Sequence, residues 1–421
     1  MKRILSLVLV CAILFGALSL NGYAAEQKPL NKEPFIFIHG LNGWGKDEGI
    51  DGILPYWGAT TGNLMDYLQE KGYECYSCSV GPMNSSWDRA CELYAELTGT
   101  TVDYGEAHAK EHNHSRYGRA YTEALVPNWG QQTADGIQKI HLIGHSFGGT
   151  TARTLAQLLL EGSEAERAAT PAEELSPLFQ GGKGDWVKSI TTLCTPHNSS
   201  TFFYPLYYTG LLQIGIFLCF LYAAVAGRIP ALSNLVDFHL EQFGLTNSPG
   251  RRDALPFAQA FAKIFFSNAT DYAHIDLLPK NAEKTNAWLD INPDIYYFSY
   301  SYSTTKPVGS TGLQAPSLKT NPVLSLTAFL MGVMPSFVDK DGYPVTAESR
   351  ANDGMVTVVS AQYPWDEPHA EFNANRIEKG VWQVMPLREG DHGTAIGLLA
   401  DADVTHALYD EIAQRLTALP D

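Results

Sequence analysis

KIHLIGHSFGGTTARTLAQLLL, Lys139 to Leu160, changes its period halfway along. The apolar run from Lys139 to Gly144 reads as a strand, and the apolar spacing from Phe147 onward reads as a helix. Between them stands Gly144-His145-Ser146-Phe147-Gly148. A G-x-S-x-G sequence on a strand-to-helix turn is the setting of a nucleophile elbow, whereas the same string in an ordinary loop is a chance match. Gly144 and Gly148 remove side chains where strand and helix close on each other, leaving the Ser146 hydroxyl exposed at the strand's carboxyl end.

Outward from this unit the strand-like runs recur, with helical stretches between them. They are FIFIH at Phe35 to His39, YSCSV near Val80, VKSITTLC at Val187 to Cys194, DIYYFSYSYS from Asp294 and VWQVMPL from Val381. This rhythm predicts the α/β class with a mostly parallel central sheet. Two stretches, at about 84–129 and 201–292, fit no βα unit and are expected to leave the sheet, and loops of that size carry function or form subdomains.

Composition narrows the function. A chain of 421 residues holds one large α/β domain or two to three average ones, and its formal charge of -16, with Lys and Arg scattered, lacks the basic footprint that nucleic acid requires. Lys2 and Arg3, the apolar run Ile4 to Leu20 and the small-x-small site Gly22-Tyr23-Ala24 read as an export signal over 1–24, with an uncleaved anchor as the alternative. The mature domain is then 25–421 and the product is secreted. Of six cysteines, Cys11 leaves with the signal. Cys75 and Cys78 resemble a redox CxxC, but residues three apart on a strand point to opposite faces, so they read as small buried residues.

A serine nucleophile needs a base and a carboxylate that orients the base. Twelve histidines compete for the first role. In α/β hydrolases the chain order is Ser, acid, His, which favours His392 in Asp391-His392-Gly393, after the last strand. His406, inside VTHALYDEIAQRL, suits a solvated or capping role better. For the acid, Asp353 in Asn352-Asp353-Gly354 precedes an apolar stretch between Ser146 and His392; Asp339 and Asp341 are rivals, and each also suits an ordinary turn. Oxyanion donors are expected from the Phe147 N–H and, after His39-Gly40, from the Leu41 N–H. His39 itself reads as a structural hydrogen-bonding residue.

FIFIHGLNGWG, SVGPMNSSWDRACELYAEL, GTTVDYGEAHAKEHNHSRYGR, GHSFGG, TTLCTPHNSST, NDGMV and DHG follow one another along nearly the whole mature chain. In this order they resemble the large secreted lipases of thermophilic bacilli and staphylococci. The resemblance implies an α/β-hydrolase fold, hydrolysis of triacylglycerols or other esters, Ser146, Asp353 and His392 as the triad, and a helical lid. It also implies a structural zinc held by Asp88, His108, His114 and Asp271 in a zinc-binding extra subdomain built from the two excursions. Two imidazoles and two carboxylates form a reasonable four-coordinate set. Spacing alone pairs His108 with His112 instead, four apart on one helical face. Relatives also bind calcium through an acid two positions after the catalytic histidine. Thr394 stands there, and Asp401 and Asp403 fall out of register, which leaves a calcium site doubtful.

The uncharged stretch Thr201 to Gly227 is long enough to cross a bilayer. A single span there would put Ser146 on one side of the membrane and Asp353 with His392 on the other. The stretch therefore reads as a lid that covers the cleft in water and opens at a lipid–water interface, with an ordinary core helix as the alternative. Together these readings predict a secreted serine lipase acting on apolar acyl esters at interfaces. The alternatives are an esterase of short-chain or polymeric esters and, in another class, a membrane-anchored non-catalytic binding protein.

Overall fold

The computed structural model describes residues 28–202, 237, 239–243, 271–339 and 342–421. The expected export signal, Asp341 and all but Thr201 and Phe202 of the uncharged stretch lie outside the described residues. Among the described residues, no helix is long and apolar enough to cross a membrane.

Seven strands form the main sheet: β1 (Phe35–Ile38), β2 (Cys75–Cys78), β3 (Ile140–His145), β4 (Val187–Leu193), β5 (Tyr296–Tyr300), β6 (His369–Glu371) and β7 (Trp382–Val384). Their spatial order is β6-β7-β5-β4-β3-β1-β2, and every neighbouring pair is parallel. Parallel strands are covered on both faces, which is why their sequences read as nearly continuous apolar runs. The exposed edge strand β6, His-Ala-Glu, has no such run and is the one strand of this sheet that the sequence does not announce.

Alternation along each strand builds two cores. Ile36, Ile38, Leu142 and Ile190 face Leu93 and Leu97 of α2 (Ser86–Thr98) and Leu155, Leu158 and Leu159 of α4 (Phe147–Glu161). Phe35, Phe37, Ile143 and Phe298 face Leu64 and Leu68 of α1 (Leu64–Glu70) and Leu408, Tyr409 and Ile412 of α5 (Ala402–Thr417). Each such fully buried aliphatic side chain contributes about 1.5–3 kcal/mol. Cys75 belongs to the second core and Cys78 to the first, both as free thiols. Burial pushes the Cys75 thiol up to about 12 and the Cys78 thiol well above its ordinary value, so neither is poised for redox chemistry.

Because α2 packs into the first core, the stretch at 84–129 leaves the sheet only after it. Gly99 ends α2 in the left-handed region, at φ 67°. Two antiparallel strands, Thr101–Asp103 and Tyr117–Ala120, then bracket α3 (Glu106–His112).

Candidate active site

Ser146 sits on the turn from β3 into α4 with φ 55° and ψ −129°, a conformation that costs a non-glycine residue about 1–3 kcal/mol. Its neighbours hold it there: Ser146 N donates to Leu193 O at 2.8 Å, and Ser146 O accepts from Gly149 N at 3.1 Å and from Thr195 Oγ1 at 2.9 Å. The turn is too tight for side chains beside it. A Cβ on Gly148 would lie 2.1 Å from Ile38 O, and one on Gly40 would lie 2.6 Å from Ser146 Cβ.

Asp353 and His392 are buried side by side. His392 Nδ1 donates to Asp353 Oδ2 at 2.8 Å, and His392 N donates to Asp353 O at 2.8 Å. The second carboxylate oxygen, Oδ1, accepts from Met355 N at 2.9 Å and Val356 N at 2.7 Å. The Asp353 carboxylate thus accepts from three N–H donors, and Nε2 is the imidazole nitrogen left for a nucleophile. No hydrogen bond joins Ser146 Oγ to His392 among the described residues; such bonds often tighten only with substrate in place. Of the rivals, Asp339 accepts from Tyr343 N in a hairpin turn. His406 stacks on the Tyr67 ring at 4.0 Å rather than capping its helix or pointing freely to solvent.

A chain of bonds that the sequence does not reveal ties these loops together. Gly40 N donates to the Tyr56 hydroxyl at 2.9 Å, and that hydroxyl lies 2.6 Å from His145 Nδ1. His145 Nε2 lies 3.0 Å from His392 O. Burial, reinforced by His392, lowers the His145 pKa far below its ordinary value. The neutral ring therefore accepts from Tyr56 and donates to His392. His145 is the unspecified residue of G-x-S-x-G and Tyr56 lies in a loop without a motif, so only three-dimensional proximity identifies them. Tyr56→Phe strands two buried polar groups; it is expected to lower stability by about 1–3 kcal/mol and to slow any turnover that depends on Ser146 and His392. Denaturation midpoint and kcat check this, and the loss of neither would show that the chain of bonds is idle.

Leu41 and Phe147 pack together in a small apolar cluster with Phe202, Ala273 and Leu277. Phe147 opens α4, so its N–H has no acceptor inside the helix. His39 is buried: Nδ1 bonds Gly40 O at 2.9 Å, and Nε2 accepts from Val80 N at 3.4 Å.

A second cluster gathers Asp88, His108, His114 and Asp271, whose possible ligand atoms all lie within 4.8 Å of one another. Ser85 caps the start of α2 and sets Asp88 in its first turn. An antiparallel bridge between Asn84 and Tyr272 brings Asp271 alongside. His108 Nε2 lies 3.2 Å from Asp88 Oδ1 and 3.1 Å from Asp271 Oδ2, and His114 Nε2 lies 3.2 Å from the same Asp271 oxygen. His112 stays out of the group because α3 ends there. Asn113 turns into the left-handed region at φ 57° and swings His114 back. Burial by itself would lower the His108 pKa, but the Asp271 and Asp88 carboxylates outweigh it and lift the imidazole to about 10. The cluster demands positive charge at its centre, and its two nitrogens and two oxygens suit a divalent cation. His114 Nδ1 donates to Ser115 O at 2.9 Å, which points the Nε2 lone pair inward. A further close trio, His145, Cys194 and His392, is poorly suited to a metal, because both ring nitrogens of His145 are already bonded. Near His392, Thr394 Oγ1 accepts from Asp391 N at 3.0 Å, and Asp401 caps α5 by accepting from Val404 N.

The parallel sheet, the elbow and the buried Asp–His pair on neighbouring loops define an α/β-hydrolase. The family described as "Lipase-like, C-terminal domain" matches residues 31–421, and the chain belongs to it. A lipase of Staphylococcus epidermidis is 34% identical over 404 residues, which are 95% of this chain and 55% of that protein. The chain thus spans about half the length of the curated relatives it matches. Among solved structures, Staphylococcus hyicus lipase is similar with a TM-score of 0.80 at 31% identity, over 93% of this chain and 97% of that one. Lipase 1 from Pelosinus fermentans is similar with a TM-score of 0.76 at 36% identity, over 93% and 100%.

Proposed function

We propose that the chain is a secreted serine lipase that hydrolyses carboxylic esters of apolar acyl chains, triacylglycerols among them, at lipid–water interfaces. The observation that carries the reading is the 2.8 Å Asp353–His392 bond on a loop tied, through His145, to the strained Ser146 turn. In this reading Ser146 Oγ attacks the ester carbonyl while His392 Nε2 takes its proton. Asp353 holds the imidazole tautomer, the Leu41 and Phe147 N–H groups receive the developing oxyanion, and water then hydrolyses the acyl-enzyme. Hydrolysis rates across a series of acyl chain lengths, with dissolved and emulsified substrate, test it. Activity confined to short dissolved esters would replace the lipase with an esterase, and no hydrolysis at all would end the reading.

Asp88, His108, His114 and Asp271 would hold a zinc ion, which supplies a cross-link between chain segments rather than a site for activated water, since four protein ligands fill a tetrahedral shell. Metal analysis is expected to find about one zinc per chain. Chelation is expected to lower the thermal midpoint before the initial rate at moderate temperature, because binding at a free metal concentration of 100 Kd stabilises by about 2.7 kcal/mol. Immediate loss of turnover at unchanged stability would make the metal catalytic instead.

A further inference from the structure

Arg89 follows Asp88 in α2 and has no exposed surface. A buried charge ordinarily pairs with a carboxylate, yet no ion pair forms at Arg89 among the described residues. Glu92, one turn along the same helix, is turned instead to Gly81 N, Asn84 Nδ2 and Tyr104 OH. The guanidinium donates only to neutral oxygens: Nε to Thr151 Oγ1 at 2.9 Å, Nη1 to Gly81 O at 2.8 Å, and Nη2 to His39 O.

Two of these acceptors bracket the expected oxyanion donors. His39 O precedes Gly40-Leu41. Thr151 lies one turn into α4 from Phe147, and its hydroxyl also donates to Phe147 O at 3.2 Å. The guanidinium carbon sits 5.4 Å from the centre of the Phe147 ring. One planar cation therefore grips the loop that carries the Leu41 N–H and the helix start that carries the Phe147 N–H.

We propose that Arg89 is a positioning residue of the oxyanion hole: its guanidinium fixes the Leu41 and Phe147 N–H groups relative to each other, and its buried positive charge, which no carboxylate contacts directly among the described residues, favours the anion forming between them. The inference rests on the reading of Leu41 and Phe147 as the donors. A fork with donors aimed in three directions does this, whereas a lysine ammonium, though charged, cannot reproduce the geometry.

Arg89→Lys and Arg89→Met, made in the full chain with metal content verified, separate positioning from simple packing. The readouts are kcat, KM, thermal midpoint and the inhibition constant of an alkyl boronic acid, whose tetrahedral adduct on serine places an oxygen in the hole. Both variants are expected to lose kcat by about 10- to 100-fold, below the ~10²–10³-fold cost of deleting a donor outright. KM should stay nearly constant, and boronic acid affinity should fall by a matching factor. A kcat per folded molecule within about threefold of the parent, whatever the midpoint, would overturn the proposal. So would a fall in kcat with boronic acid affinity unchanged. If neither variant folds, Thr151→Ala carries the test: a matched, several-fold fall in kcat and boronic acid affinity supports it and the absence of one overturns it. The underlying reading fails separately, when the parent neither hydrolyses esters nor binds the boronic acid, or when Ser146→Ala leaves either property intact.

Discussion

Ser146→Ala is expected to lower ester hydrolysis on the order of a million-fold while the protein folds as before. The loss is large because no neighbouring group can substitute for the missing oxygen nucleophile, and what survives comes from binding and the oxyanion donors alone. Folding should persist because the turn is held by main-chain bonds, from Ser146 N to Leu193 O and to Ser146 O from Gly149 N and Thr195 Oγ1. Alanine keeps all of them. It meets the same strain at φ 55° as serine does. His392→Ala should match this loss, since members of a triad act as a unit and their separate deletions do not add. His406→Ala removes a ring stacked on Tyr67 and should affect stability only, by about 0.5–1.5 kcal/mol. The comparison is kcat on one soluble ester, with the parent's active fraction titrated. Retention of more than a few per cent of the rate by pure Ser146→Ala would remove Ser146 from the mechanism.

What the sequence makes legible here follows the range of the interaction. The elbow can be read because strand period, glycine positions and helix period lie within one short segment, and the two buried sheet faces can be read from alternation such as Phe35-Ile36-Phe37-Ile38. The cluster of Asp88, His108, His114 and Asp271 is less legible. Helical spacing pairs His108 with His112, and only the left-handed Asn113 at the end of α3 turns His114 inward instead. The acid shows the same limit. Asp339 and Asp353 both occupy turns, and the distinction lies in what folds against them: a hairpin partner for the first and His392 for the second. Tyr56, His145 and Arg89 carry no local pattern at all. The partners that decide their roles lie far along the chain: Tyr56 and His145 are 89 residues apart, His145 and His392 247, and Arg89 and Thr151 62.

Asp353→Asn is expected to cost about 10⁴-fold in kcat with little loss of stability, a combination that follows from where each carboxylate oxygen points. Oδ1 accepts from two backbone donors, Met355 N and Val356 N, and Oδ2 accepts from His392 Nδ1. An asparagine in the same rotamer must give its oxygen to the two backbone N–H groups, because the opposite orientation would set the amide NH2 against both. The NH2 then faces His392 Nδ1, which can only accept. The imidazole proton is forced onto Nε2, the nitrogen needed to take the proton from Ser146. The variant is therefore folded but holds the wrong tautomer. Asp353→Ala differs in a measurable way: it leaves Met355 N and Val356 N without acceptors, so it should lose about 1–3 kcal/mol of stability for each buried group as well as the rate. Thermal midpoints and kcat for the two variants, measured together, separate the roles. If Asp353→Asn kept more than about one per cent of the parent kcat, the carboxylate would not be setting the tautomer, and Asp353 would be a turn-forming residue like Asp339.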